Sequence, residues 1–344
     1  MKHPIIQAYH SILSPDFPDF LAPYLELPIL KRLDGIGLLC GTDWTSLYNN
    51  RFFYSRLDHS IGVALIIWNF TKDRKQTLAG LLHDISTPVF SHVMDFRNND
   101  ALTQESTEKN TAEMIMADRE LCGLLRKEGI NVEDVVDYHV YPVADNDLPA
   151  LSADRLEYMY MTGLIMADLW TMDEIRETYA DIHVMENEHG IPELGFSNLR
   201  LAELYCIRCC QTGLLMVKNE NKLTLSLLAY LSEMAINKGF LTECDFYNRS
   251  EKEIIAHFGR IEDTEFKNHF RTFAGMTRIM RSENPVEGCF NVNTEVKRRY
   301  INPLCNGRRV ARLSEKAACA ISGITGFTDT PYAAVMIEKI AANQ

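Results

Sequence analysis

The chain has 344 residues, of which 46% are hydrophobic and 24% charged, with a formal net charge of −12. Such a composition fits a folded globular protein with one large core or two modest ones, and excludes a disordered or membrane-embedded chain. The acidic balance also excludes a general nucleic-acid binder, which needs a basic face to displace counterions, but leaves room for a locally basic pocket that takes a small phosphorylated ligand.

Prolines 4, 15, 18, 23 and 28, five of the twelve in the chain, mark residues 1–26 as an extended N-terminal arm with short turns. The opening MKHPIIQAYHSIL lacks the long apolar stretch and small-residue cleavage site of a signal peptide. Apolar spacing in ELPILKRLDGIGLL predicts a helix over 28–33, followed by a loop or short hairpin at 40–55. Two helices come next. In DHSIGVALIIWNF, Asp58 is a cap and Ile61, Leu65 and Trp68 share a stripe. In RKQTLAGLLHDI, Leu78, Leu81, Leu82 and Ile85 do the same before Thr87-Pro88 breaks the run. The uncharged run IGVALIIWNF is far short of the roughly 20 residues that span a bilayer. Further helices are predicted over 103–117, 118–128 and 131–142, and another from Ser152, whose hydroxyl can cap it. DIHVMENEHGIPELGF alternates around Glu188-His189-Gly190 and predicts a β-hairpin at 181–196. Helices near 197–217, 221–238 and 251–257 follow, and 290–313 carries the signals of a second short strand pair. The expected fold is mainly α, with a small β-hairpin and a helical C-terminal extension, in which 27–165 and 166–344 pack as one unit.

Nine cysteines, odd in number and irregularly spaced, suit reduced thiols and a cytoplasmic protein. Cys206, Cys209 and Cys210 fall inside a helical run with no second pair nearby, so small core residues explain them better than half a zinc site. Arg56, Arg155 and the cluster Lys297-Arg298-Arg299 with Arg308-Arg309 are candidates for a basic patch. For the later cluster alone, solvated surface charge is the more ordinary explanation.

The chemistry concentrates between Arg56 and Asp95, where three imidazoles (His59, His83, His92) lie among four carboxylates (Asp58, Asp73, Asp84, Asp95). Adjacent helical residues project about 100° apart, so His83 and Asp84 meet one ion only at the side or end of a helix, and other elements must complete the set. If the two helices pair antiparallel through TKDRK, His59 at the start of the first becomes a neighbour of His83 at the end of the second. Asp154, in the first turn of a downstream helix, is the best fourth ligand. Each of these residues taken singly is equally a hydrogen-bonded core residue or a cap.

In the order H…HD…D, realised as His59, His83-Asp84 and Asp154, the chain resembles the HD-domain metal-dependent phosphohydrolases. The blocks RLDHSxGV, LAGLLHDI, PxFSHxxD and ADRLEY resemble those of the deoxynucleoside-triphosphate triphosphohydrolase (dGTPase-like) branch, and GFLTECDFYNRSEKEIIAHF and YINPL are similar to its C-terminal portion. The resemblance runs from about Leu27 to Leu304. It implies a helical HD core holding one divalent ion (iron, manganese, magnesium, zinc, cobalt or nickel) on His59, His83, Asp84 and Asp154. It also implies catalytic roles for His92 as donor to a phosphate oxygen, Asp95 as its orienter and Arg56 as a phosphate contact. Arg155, Tyr158, Thr87 and Gln104 become substrate-site positions, and a homodimer is expected.

Several positions depart from that branch. Thr87 stands where it carries a histidine proposed to take part in the displacement, and Gln104 where it carries a second active-site histidine. Met161-Thr162 replace an Arg-Asp pair whose carboxylate reads the sugar hydroxyl, and Leu38 replaces a glutamine near the base. Threonine and glutamine are not acid–base groups near neutral pH, and a leucine side chain forms no hydrogen bonds. The sequence therefore predicts a metal-dependent phosphohydrolase acting on a nucleotide or other phosphate ester through an activated water. The alternative is a protein that keeps the ion and binds a nucleotide or phosphate with little or no catalysis.

Overall fold

Local capping chemistry sets the three helices that matter most. A computed structural model of the chain describes residues 2–97 and 110–338. Ser55 opens the Arg56–Thr71 helix with a capping box, its hydroxyl accepting from the Asp58 amide while the Asp58 carboxylate accepts from Ser55 N–H. That helix is buried nearly all round as far as Ile67, as expected of an element enclosed by others. Lys72 reverses the chain in the left-handed region, and the Asp73 carboxylate caps the next helix, Arg74–Leu82, through the amides of Lys75 and Gln76. The two helices pack along their lengths, so the short-loop pairing expected from the sequence holds. Ser152 caps the third, Ala153–Ala167, through the Arg155 amide, and this helix lies against Arg56–Thr71.

The long helices Leu199–Val217 and Asn219–Asn237 and the shorter Glu251–Phe258 follow the predicted order, and the buried Cys206, Cys209 and Cys210 sit in the first as core residues. The predicted hairpin is present as β1 (Ile182–Glu186) and β2 (Pro192–Phe196), with Ile182 opposite Phe196 and Glu186 opposite Pro192. Beyond it come β3 (Met280–Ser282), β4 (Cys289–Val292), β5 (Leu304–Cys305), β6 (Arg308–Arg309) and β7 (Tyr332–Met336). β5 and β6 form the expected second strand pair, and β5 adds in parallel to β2. β7 lies between β3 and β4 in a separate sheet, so the C-terminal part is not purely helical. One apolar core runs from Ile6 to Val335 and joins residues of both halves. No helix among the described residues is long and apolar enough to cross a membrane.

Two expectations need correction. The N-terminal stretch is not extended: Pro4–Leu13 is a helix, with Pro4 in its first turn where a missing N–H costs nothing and His3 accepting from the Ile5 amide. Ile6, Tyr9 and Leu13 bury one face. Residues 131–142 form two 3₁₀ turns, Val132–Asp134 and Tyr138–Val140, rather than a helix. There Asn131 and Asp134 cap each other, and Asp137 takes the His139 amide, local bonds that compete with a helical ladder. Of the helix predicted over 103–117, Thr111–Ala117 is helical and the earlier part lies outside the described residues.

Candidate metal centre

His59 stands one turn into the Arg56–Thr71 helix, and His83 is the residue that closes Arg74–Leu82. Antiparallel pairing brings their rings to 5.1 Å between centroids. Asp154, in the first turn of Ala153–Ala167, points its Oδ1 at both: it lies 3.1 Å from His59 Nε2 and 3.7 Å from His83 Nε2. These three form a cluster able to hold a metal ion. Asp84 closes the fourth side, its Oδ2 3.5 Å from His83 Nε2 and 3.8 Å from His59 Nε2. Ligands held about 2.1 Å from an ion lie about 3.0 Å apart in octahedral and about 3.4 Å apart in tetrahedral geometry, so small adjustments bring these donors onto one divalent cation. The four residues predicted as ligands are thus brought together.

The nitrogens facing the centre are fixed from behind. His83 Nδ1 donates to the Gly80 carbonyl at 2.7 Å, which leaves the Nε2 lone pair aimed at the cluster. His59 Nδ1 is bonded to Glu157 Oε2, and the other oxygen of this fully buried carboxylate accepts from Tyr54 Oη at 2.5 Å. A carboxylate behind a ligating imidazole is the usual arrangement at protein metal sites. A Cβ at Gly62 would stand 2.8 Å from Glu157 Cγ, so glycine gives that carboxylate its berth. Glu157 was missed as a functional position by sequence reasoning. Its signal was the spacing of three residues from Asp154, one helical turn on.

Burial raises the pKa of a carboxyl group, yet Asp84 is held well below the usual range by Arg56, His83 and His59. Asp154, against the same burial, is pushed down to about 2 by its hydrogen bond and charge interactions with the histidines. Both carboxylates are therefore ionised and suited to a hard cation.

The cluster sits in the wall of a cavity of about 630 Å³, within the range for small-molecule sites. Arg56, His92, Arg155 and Tyr158 line it, as do Leu38 and Thr162, two of the positions that depart from the resembled pattern. Arg56 is committed to Asp84, with Nη1 at 2.8 and 3.2 Å from its two oxygens, and to Ser91 Oγ through Nε. Arg155 is held by Asp145 at 3.0 Å and by carbonyls of Asn146 and Ala150. Thr87, expected at the substrate, is not on the cavity wall: its hydroxyl donates to Asp84 Oδ1 at 2.9 Å. The Asp95 side chain and Gln104 lie outside what is described. Tyr138, from the segment expected to be helical, lies against His83 with the ring centroids 4.8 Å apart and the planes tilted by 32°, a contact the sequence did not signal.

Residues 56–159 match the family model of the HD domain. Over 154 residues the chain is 30% identical to the uncharacterized protein YdhJ of Bacillus subtilis, covering 43% of this chain and 44% of that one. Over 138 residues it is 29% identical to the metal-dependent phosphohydrolase cns2 of Cordyceps militaris, covering 40% of this chain and 39% of that one. The chain thus spans less than half the length of the curated relatives it matches. A hypothetical protein from Aquifex aeolicus shares the fold with a TM-score of 0.61 at 17% identity, covering 93% of each chain. A phosphohydrolase from Bacteroides thetaiotaomicron does so with a TM-score of 0.59 at 12% identity, covering 94% of this chain and 97% of that one. The His59, His83 and Asp154 cluster lies inside the span 56–159 that matches the HD domain, which supports the HD superfamily.

Proposed function

We propose that this protein hydrolyses a phosphate ester or nucleotide at a divalent ion held by His59, His83, Asp84 and Asp154. The observation that carries the reading is the convergence of two back-braced imidazoles and two ionised carboxylates in the wall of a substrate-sized cavity. A divalent ion there supplies a lowered pKa for water and neutralises charge on a phosphoryl oxygen. The chain's own groups do the rest. Arg56 keeps Asp84 ionised and aimed at the ion, while His92, facing the same cavity, serves as a hydrogen-bond donor to a phosphoryl oxygen. Tyr158 and Arg155 extend the wall on the side where the rest of the substrate lies. The Thr87 hydroxyl is spent on Asp84, so the acid–base role of the histidine in the deoxynucleoside-triphosphate branch is not filled from this position. Together with Leu38 and Thr162, that supports a substrate other than a deoxynucleoside triphosphate.

Metal analysis of the purified protein, joined to a panel of phosphate esters and nucleotides with manganese, iron, cobalt or magnesium added, tests the reading. The expected result is about one ion per chain and turnover of at least one compound, both lost in Asp154→Ala, the ion being the source of the activated water. An ion retained with no turnover across the panel would instead favour a binding protein, and no ion at all would dismiss both.

A further inference from the structure

We infer that Lys297 and Arg299 form a second anion subsite in the metal-centre cavity, selecting substrates that carry a second phosphate besides the one at the ion. The inference rests on the proposed phosphohydrolase reading for the first phosphate only. Both side chains line the cavity that His59, His83 and Asp154 also line, yet they come from a segment far outside the matched span 56–159. That segment, between β4 and β5, has no regular secondary structure, and its position is nevertheless fixed at three points. Arg298, between the two cations, turns away from the cavity and donates through Nη1 to the carbonyls of Ile324, Thr325 and Phe327 at 2.9, 2.8 and 2.8 Å. The Arg299 carbonyl lies against Gly213 so closely that a Cβ there would be 1.9 Å from it. Farther on, the Asn302 amide donates to the Pro149 carbonyl at 2.9 Å, beside the cavity-lining Leu148.

The consecutive basic residues therefore divide their work: one clamps the strap, and its two neighbours face the cavity. Surface solvation, the ordinary account of such a cluster, does not describe Lys297 or Arg299, both of which are half-buried. Burial raises the Tyr158 hydroxyl and the Cys40 thiol, and the Arg299 charge opposes that rise at Tyr158 and, behind Arg56, at Cys40. Arg56 and Arg155, also on the wall, pair with Asp84 and Asp145. Asp147, which also lines the cavity, is exposed. Two further positive charges in a chain of net charge −12 match the charge of nearly −2 on a phosphate monoester, and an arginine fork beside a lysine suits its oxygens.

The test compares matched pairs on the manganese-loaded protein: AMP with ADP, AMP with adenosine 3′,5′-bisphosphate, and fructose 6-phosphate with fructose 1,6-bisphosphate. The readout is KM where a compound is turned over and calorimetric Kd where it is not. At least one bisphosphate is expected to bind about tenfold tighter than its partner, the order of one charge-assisted contact. That preference should fall to within about twofold in Lys297→Gln/Arg299→Gln, stay in Lys297→Arg, and leave the monophosphate affinity unchanged. No preference in any pair, or one that survives the double substitution, overturns the subsite. A preference without turnover of any compound sinks the hydrolase reading and leaves the subsite standing. Should the double variant fold poorly, Lys297→Gln and Arg299→Gln singly, each set against its charge-retaining Lys297→Arg or Arg299→Lys, give the same discrimination.

Discussion

Burial lowers the pKa of an imidazole, yet His59 is pushed up to about 10 by the Glu157 charge and by hydrogen bonds with Asp154 and Glu157. Without an ion, a proton therefore sits on this ring and neutralises part of the surrounding negative charge. Binding a divalent cation must expel it, so metal affinity weakens as pH falls. In the metal-free protein the same raised value means that folded His59 holds its proton more tightly than in the unfolded chain. Its stabilisation is complete below about pH 6.5 and is lost as pH rises through about 10. Thermal melts of chelated protein should show a fall in that window that His59→Gln removes. Glu157 braces the ring, and Gly62 gives Glu157 room. Gly62→Ala and Glu157→Gln are each expected to weaken metal affinity by about 10–100-fold, measured by competition with a chromophoric chelator; unchanged affinity in both would dismiss the brace. The ligands themselves were legible in the sequence because their spacing and order repeat a known pattern. The brace was less so, because a glutamate in a helix has many roles, and only the fold shows that Tyr54, Gly62 and His59 meet it.

At the scale of elements, capping decided what the sequence disclosed. Ser152 caps its helix as the sequence indicated, whereas Asp58, read as the cap of the first helix, is the capping-box partner of the true cap Ser55, and Asp73 caps the second helix without having been singled out. Residues 131–142 misled because their apolar spacing was helical while Asn131 and Asp137 offered local bonds that end a helix early. β7 was missed for another reason: all its partners are distant in sequence, and YAAVM carries no turn signal toward either. The Glu251–Phe258 helix shows how one element is tied to another by a single buried group. Glu251 accepts from the Gly37 amide at 2.9 Å and from Trp44 Nε1 at 2.7 Å. Burial raises its pKa to about 7 even though both of these bonds lower it. A carboxyl with a raised folded value binds its proton more tightly when folded, so its contribution to stability declines as pH rises from about 4.5 to about 7. The effect is at most about 3 kcal/mol, the free energy of the shift. Urea midpoints across that range are expected to slope downward in the native chain and to flatten in Glu251→Gln, with Trp44 fluorescence reporting the same transition; an unaltered slope would place the titration elsewhere.

Across the whole molecule, the two halves meet at the cavity rather than merely sharing a core. The span 56–159 supplies the proposed ligands, while Met216, Asn221 and Leu225 of the long helices and Lys297 and Arg299 of the strap line the same cavity. Composition and periodicity could foretell a core of this size, but not that a basic cluster some 140 residues beyond Asp154 would return to the metal centre, since that depends on long-range packing. Gly213 is where this return is decided. A methyl group there meets the Arg299 carbonyl at 1.9 Å and Ile324 Cδ1 at 2.5 Å, and a backbone carbonyl cannot turn aside as a side-chain tip does. Gly213→Ala must therefore push the strap off the Leu199–Val217 helix, at a cost of about 1–3 kcal/mol for an overpacked contact. Because the ligands lie on other helices, metal content is expected to remain at the native level while urea unfolding shifts to lower concentration and any preference for bisphosphates weakens. Loss of metal together with stability would mean instead that the strap supports the metal centre itself, and an unchanged unfolding midpoint would mean that the contact with Arg299 relaxes without cost.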